Sequence, residues 1–198
     1  MVSSVQPSLM DVDWSLIPAP VDDGAARHLT GLALPPLPLP ATGGITVPLA
    51  HLPGRTIVFA YPRTGRPGDI SLVPEWDSIP GARGCTPQSC SFRDLHKELL
   101  AVGAVRVFGL STQDSAYQLE ARDRLHLPFE LLSDENLALT HALGLPTLEV
   151  AGQTLIRRMA LVLAAGRIEH VFYPVFPPDR NAGDVLAWLI AHPAARPA

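Results

Sequence analysis

Arg55-Thr56-Ile57-Val58-Phe59-Ala60-Tyr61 (RTIVFAY) is a β-branched and aromatic run closed by Pro62, the pattern of a strand buried on both faces. The sequence after it decides the fold. Residues 65–84 are rich in Gly and Pro and read as a loop. From 85 to 102 the apolar residues Phe92, Leu95, Leu99 and Val102 recur at spacings of three and four, which predicts one amphipathic helix. Residues 105–111 then form a second buried-strand pattern.

Outward from this unit the alternation continues. Residues 114–125 read as a helix with Asp114 as its cap, 129–132 as a short strand, and 134–143 as a helix stopped by Gly144 and Pro146. Two strands, 154–163 and 167–173, flank Ala164-Ala165-Gly166 as a hairpin, and 181–192 closes the chain as a helix. Upstream, 32–40 alternates Leu with Pro as a rigid edge segment, and 45–49 is a short strand candidate. The order β-α-β-α-β-α-β-β-α implies a mainly parallel sheet covered on both faces, with antiparallel strands added late. That is an α/β arrangement of the thioredoxin-like sandwich type. Residues 1–28 are expected to be an N-terminal arm and 29–198 the domain.

The chain has 198 residues, 47% of them hydrophobic, with 15 Gly and 21 Pro, so a folded domain with rigid loops is expected. Its net charge is −4, and no basic stripe of the kind a nucleic-acid binder carries is present. No apolar run approaches the roughly 18 residues that cross a bilayer. The first residues lack the basic and apolar regions of a secretory signal, so a cytoplasmic protein is expected.

Two cysteines occur, Cys85 and Cys90. A redox pair, a metal pair and two inert buried thiols are the available readings. A metal site needs three or four ligands, and none of the seven histidines pairs with another at ligand spacing. Gly84-Cys85-Thr86-Pro87-Gln88-Ser89-Cys90 sits where a loop becomes a helix. A sulfur in the first turn faces unpaired backbone N–H groups and the positive end of the helix dipole, which favour its charged form. Pro87 suits the first turn, where its missing N–H costs nothing. Five residues along a regular helix turn through about 140° and rise about 7.5 Å, which separates the two Cα atoms by about 8.7 Å, beyond the roughly 7 Å that a disulfide spans. A bridge between Cys85 and Cys90 therefore requires the start of the helix to unwind.

GCTPQSCSFRD (84–94) resembles the active-site segment of peroxiredoxins of the Q type, the bacterioferritin comigratory proteins. Further segments resemble the same family in the same order. They are Leu39-Pro40-Ala41-Thr42-Gly43-Gly44, Phe59-Ala60-Tyr61-Pro62, Phe108-Gly109-Leu110-Ser111, PFELLSD (128–134) and the late hairpin around Gly166. The resemblance covers roughly 29 to 190.

It implies a thiol peroxidase in which Cys85 attacks the peroxide, Cys90 resolves the sulfenic acid as an intramolecular disulfide, and thioredoxin or a glutaredoxin-like dithiol recycles it. No metal or organic cofactor is implied, and a homodimer is left open. Pro62 matches the family's active-site Pro, and Arg157, nine residues before Gly166, falls at the position of its Arg, with Arg158 as the fallback. Where the family carries Thr and Pro just before the cysteine, this chain has Ala82 and Ser78, and residues 65–84 form an insertion. Thr64 is the candidate for the displaced Thr, with Thr86 as the alternative. The rival readings are a thiol–disulfide oxidoreductase of the same fold, which would carry C-x-x-C, and a redox-sensing interaction protein.

Overall fold

The computed structural model describes residues 12–194. Its elements run β1 (Pro38–Pro40), β2 (Thr46–Pro48), β3 (Arg55–Ala60), α1 (Cys85–Asp94), α2 (His96–Ala101), β4 (Ala104–Ser111), α3 (Ser115–Arg124), β5 (Leu131–Ser133), α4 (Ala138–Leu143), β6 (Thr147–Val150), β7 (Gln153–Ile156), β8 (Met159–Ala164), β9 (Arg167–Phe172) and α5 (Asn181–Ala191). Five strands form the main sheet in the order β5-β4-β3-β8-β9. β3–β4 and β4–β5 are parallel, while β3–β8 and β8–β9 are antiparallel, so the sheet is mixed.

β3 is central, and all six of its residues are buried. Its alternation divides the core in two, as side chains of successive strand residues point to opposite faces. Ile57, Phe59 and Tyr61 join the apolar side chains of α1, α2 and α5, with Ala121 of α3. Val58 and Ala60 face α4, the β1–β2 hairpin and Leu29. Helices therefore cover both faces, as the strand–helix alternation predicts. Phe59 stacks on Phe92 of α1 with centroids 4.3 Å apart and planes at 7°, and meets Phe129 edge-on at 5.6 Å. Aromatic pairs of this kind add about 0.5–1.5 kcal/mol beyond their buried area. This contact fixes how α1, and with it Cys85, lies on the sheet. Gly109 of β4 is required by packing: a Cβ there would sit 2.5 Å from Leu131 Cδ2.

Three predicted elements differ. The single helix over 85–102 is two, bent at Leu95, where φ is −97° and ψ is 10°. Phe92, Leu95 and Leu99 all still face the same apolar cluster across the bend, so the three–four spacing reads straight through it. The predicted helix 134–143 begins only at Ala138, because the Asp134 carboxylate instead accepts from the backbone N–H groups of Leu139 and Thr140 and from the Thr140 hydroxyl. The predicted strand 154–163 is broken. β7 folds back on β6 through Ala151 (φ 50°) and Gly152 (φ 75°) as a separate ribbon, and β8 alone enters the main sheet. The junction holds Arg157 and Arg158. Asp114 caps α3 as predicted, accepting from Tyr117 N at 2.7 Å.

Before β1, residues 12–28 are tied along one side of the molecule. The Trp14 indole N–H donates to Asp179, Asp23 pairs with Arg157, and His28 Nε2 lies 2.9 Å from the Leu143 carbonyl oxygen.

Candidate active site

Cys85 is the first residue of α1 and is 4% exposed. The residue before it must be glycine. Gly84 has φ 107°, and a Cβ there would meet Pro178 Cγ at 2.5 Å and Trp14 Cη2 at 2.9 Å. The first-turn N–H groups of a helix have no intrahelical partners, which makes this the electropositive end of α1.

Arg158 sits opposite the sulfur and is 2% exposed. Its Nη2 donates to Cys85 Sγ at 3.3 Å and to the carbonyls of Gly81, Ala82 and Arg83 at 3.3, 3.2 and 3.1 Å. Its Nη1 donates to Gln88 Oε1. Gln88 Nε2 in turn donates to Asn181 Oδ1 at 2.9 Å. Three elements thus converge: the start of α1, the β7–β8 junction and the start of α5. All acceptors of Arg158 among the described residues are neutral carbonyl oxygens or the sulfur. A buried guanidinium without a carboxylate partner is costly, and the Cys85 sulfur is the one non-carbonyl group it meets among the described residues.

The Arg157 assignment is corrected. Its Nε donates to the Thr147 carbonyl at 2.8 Å and its Nη1 to Asp23 and the Tyr173 hydroxyl, on the side away from the sulfur. The reason is strand parity. In β8, Ala160 and Val162 face the cluster containing Cys85, whereas Met159 and Leu161 face the opposite core. Carried back across the junction, that alternation turns Arg158 toward the sulfur and Arg157 toward the arm.

Thr64 is brought to the site. It is 2% exposed and lines the same cleft as Cys85 and Thr86. Its backbone N–H donates to Gln113 Oε1 at 2.8 Å, and its carbonyl accepts from Gln113 Nε2 at 3.0 Å, so Gln113 holds it in place. Pro62 is buried behind this wall, its carbonyl accepting from Ser111 Oγ at 3.2 Å. Trp76 of the 65–84 segment and Trp14 of the arm also line the cleft.

Cys90 lies on α1 in the apolar cluster and is 2% exposed. Burial pushes its thiol up from the ordinary range, partly countered by Arg93. Both cysteines are free, and with both inside α1 they stand as the helical spacing predicts for an unbridged pair. Sequence reading missed Gln88, Asn181, Gln113 and Trp14. Gln88 was findable, since a position three beyond Cys85 shares its helix face. The other three reach the site from distant parts of the chain, without a local signal.

A thioredoxin-like sandwich whose first core helix opens on a buried cysteine, with a second cysteine on the same helix, marks a class of cysteine-paired α/β proteins. The chain belongs to the Redoxin family, whose model matches residues 20–186. It is 32% identical over 161 residues to peroxiredoxin Q, chloroplastic, of Oryza sativa subsp. japonica, covering 80% of this chain and 65% of that protein. It is 29% identical over 181 residues to the peroxiredoxin Q of Triticum aestivum, covering 87% and 75%. The chain thus spans about two thirds of the rice relative's length. Among solved structures it is similar to peroxidoxin BcpB of Mycobacterium tuberculosis, with a TM-score of 0.67, 25% identity and coverage of 84% of this chain and 99% of that one. Peroxiredoxin Q of Xanthomonas campestris shares the fold with a TM-score of 0.62 at 24% identity, over 89% and 97%. The relatives are of the Q type, in keeping with the sequence resemblance.

Proposed function

We propose that the protein is a thiol-dependent peroxidase acting on hydrogen peroxide and organic hydroperoxides. One observation carries this reading: the buried Arg158 guanidinium lies 3.3 Å from Cys85 Sγ, with no carboxylate among its acceptors in the described residues. The Cys85 thiolate attacks the terminal peroxide oxygen. An S–O bond forms, the O–O bond breaks, and the other oxygen leaves as water or alcohol after taking a proton. Arg158 and the first-turn N–H groups hold the attacking anion and the developing charge on the oxygens. Thr64, at the cleft wall, positions the peroxide.

The sulfenic acid on Cys85 then condenses with the Cys90 thiol, releasing water and forming the disulfide. An external dithiol, thioredoxin or a glutaredoxin-like protein, reduces that disulfide by exchange. The proposal places the protein in the cytoplasm, where such a dithiol is available and thiols are kept reduced. A self-associated homodimer is compatible with this chemistry and is decided by sedimentation. The test is peroxide consumption coupled to a thioredoxin system. Wild type should turn over at catalytic rates and Cys85→Ser should not. Retained turnover in Cys85→Ser overturns the assignment, and a single stoichiometric oxidation in wild type favours a sensor over an enzyme.

A further inference from the structure

Residues 12–19 lie outside the stretch that the family model matches, yet they supply a wall of the active-site cleft. Cys85 is 4% exposed, so a substrate reaches its sulfur through this cleft. The two largest side chains lining it are Trp14, from the arm, and Trp76, from the 65–84 segment. Trp14 is fixed in three ways. Its indole N–H donates to Asp179 Oδ2 at 2.9 Å. Its ring meets Phe176 edge-on, with centroids 6.1 Å apart and planes at 79°. Its Cη2 lies so close to Gly84 that a Cβ there would be 2.9 Å away. A ring held in this way stands rigidly beside the residue that precedes the nucleophile.

We propose that Trp14 is a specificity-determining residue that narrows the approach to Cys85 and restricts it to compact peroxides: hydrogen peroxide and short alkyl hydroperoxides rather than branched or aromatic ones. The proposal rests on the peroxidase reading for its substrate class. The physical statement, a size-selective wall beside the sulfur, holds for any reagent that approaches Cys85. Discrimination by pocket shape is typically worth about one to two powers of ten in rate. Asp179 is the positioning residue for the ring, since its carboxylate anchors the indole from the turn that leads into α5.

The test uses the intact reduced protein and two thiol reagents, iodoacetamide as the compact one and fluorescein maleimide as the bulky one, with modification of Cys85 assigned by mass spectrometry. Trp14→Ala should raise the bulky-to-compact rate ratio by about tenfold. Trp14→Phe should raise it less. Leu16→Ala, in the same arm but 81% exposed, should leave it at the wild-type value. In parallel, the ratio of kcat/KM for cumene hydroperoxide over hydrogen peroxide should rise in Trp14→Ala. An unchanged alkylation ratio in Trp14→Ala overturns the proposal, and so does an equal rise in Leu16→Ala, which would mean general loosening of the arm. Wild type without peroxide turnover overturns the peroxidase reading instead, and the alkylation ratio still decides the wall.

Discussion

Two neighbouring arginines, Arg157 and Arg158, have opposite surroundings. Arg158 spends its donors on Cys85, Gln88 and three carbonyls, while Arg157 ties the arm through Asp23 and Tyr173. Arg158→Ala should therefore slow the reaction of Cys85 with hydrogen peroxide by about 10- to 100-fold, the equivalent of the roughly 1.5–3 kcal/mol that a hydrogen bond to a charged group contributes. Arg157→Ala should leave that rate within about threefold, since it removes a half-exposed ion pair worth at most about 1 kcal/mol. Stopped-flow kinetics on both variants checks this, and a larger loss in Arg157→Ala would reverse the assignment. The pair was legible in the sequence only as a pair. The choice between them lies in where β8 begins, at Met159, after β7 has ended at Ile156.

At the level of the helix, the proposed cycle asks α1 to be intact for one step and open for the next. Folded, it presents Cys85 to Arg158 and keeps Cys90 in the apolar cluster, where burial holds the thiol protonated. Gln88, joined to both Arg158 and Asn181, pins the same turns. A bridge between the cysteines requires those turns to unwind, at about 1 kcal/mol net for each helical hydrogen bond lost. Amide hydrogen exchange on reduced and disulfide-bonded protein should differ chiefly at residues 85–94 and the adjoining 79–84 loop, with the β3–β4–β8 core equally protected in both. Equal protection across 85–94 in the bridged form would show that the bridge forms without opening α1. The spacing of the cysteines made this tension readable from sequence alone. The bend at Leu95 was not, because the apolar residues on either side of it serve the same cluster.

Over the whole molecule, the sandwich was legible because β3 and β4 carry buried apolar runs, at 57–61 and 107–110, and α1, α2 and α5 turn apolar side chains to one cluster. What composition could not reveal was the reach of residues 12–28, whose contacts at Trp14 and Asp23 are with residues more than a hundred positions away. Stability should also carry a pH signature. Burial lowers the proton affinity of His96, beside Phe129, and of His170, which stacks on Trp188 and is further opposed by His192. The unfolded chain binds protons at these sites near 6.5 while the folded one resists, so this contribution is present above that pH and is lost as pH falls below it. Asp184, raised by burial, acts in the opposite sense, but nearer the carboxylate range. Urea unfolding should give a lower free energy at pH about 5.5 than at about 7.5, and His170→Gln should flatten that slope. A slope unchanged in His170→Gln would assign the effect elsewhere.

The 73 positions that separate Cys85 from Arg158 have a further consequence, for the birth of the molecule. A chain is synthesised from its N-terminus, and long-range contacts form only when both partners have emerged. Trp14 and Thr64 precede the cysteine, but Arg158 follows it by 73 positions and Asn181 comes later still. Until they arrive, Cys85 has no guanidinium beside it and no anchored helix to stand on. The surroundings of Cys85 are therefore complete only when nearly the whole domain has been made, and assembly of the site coincides with completion of the fold.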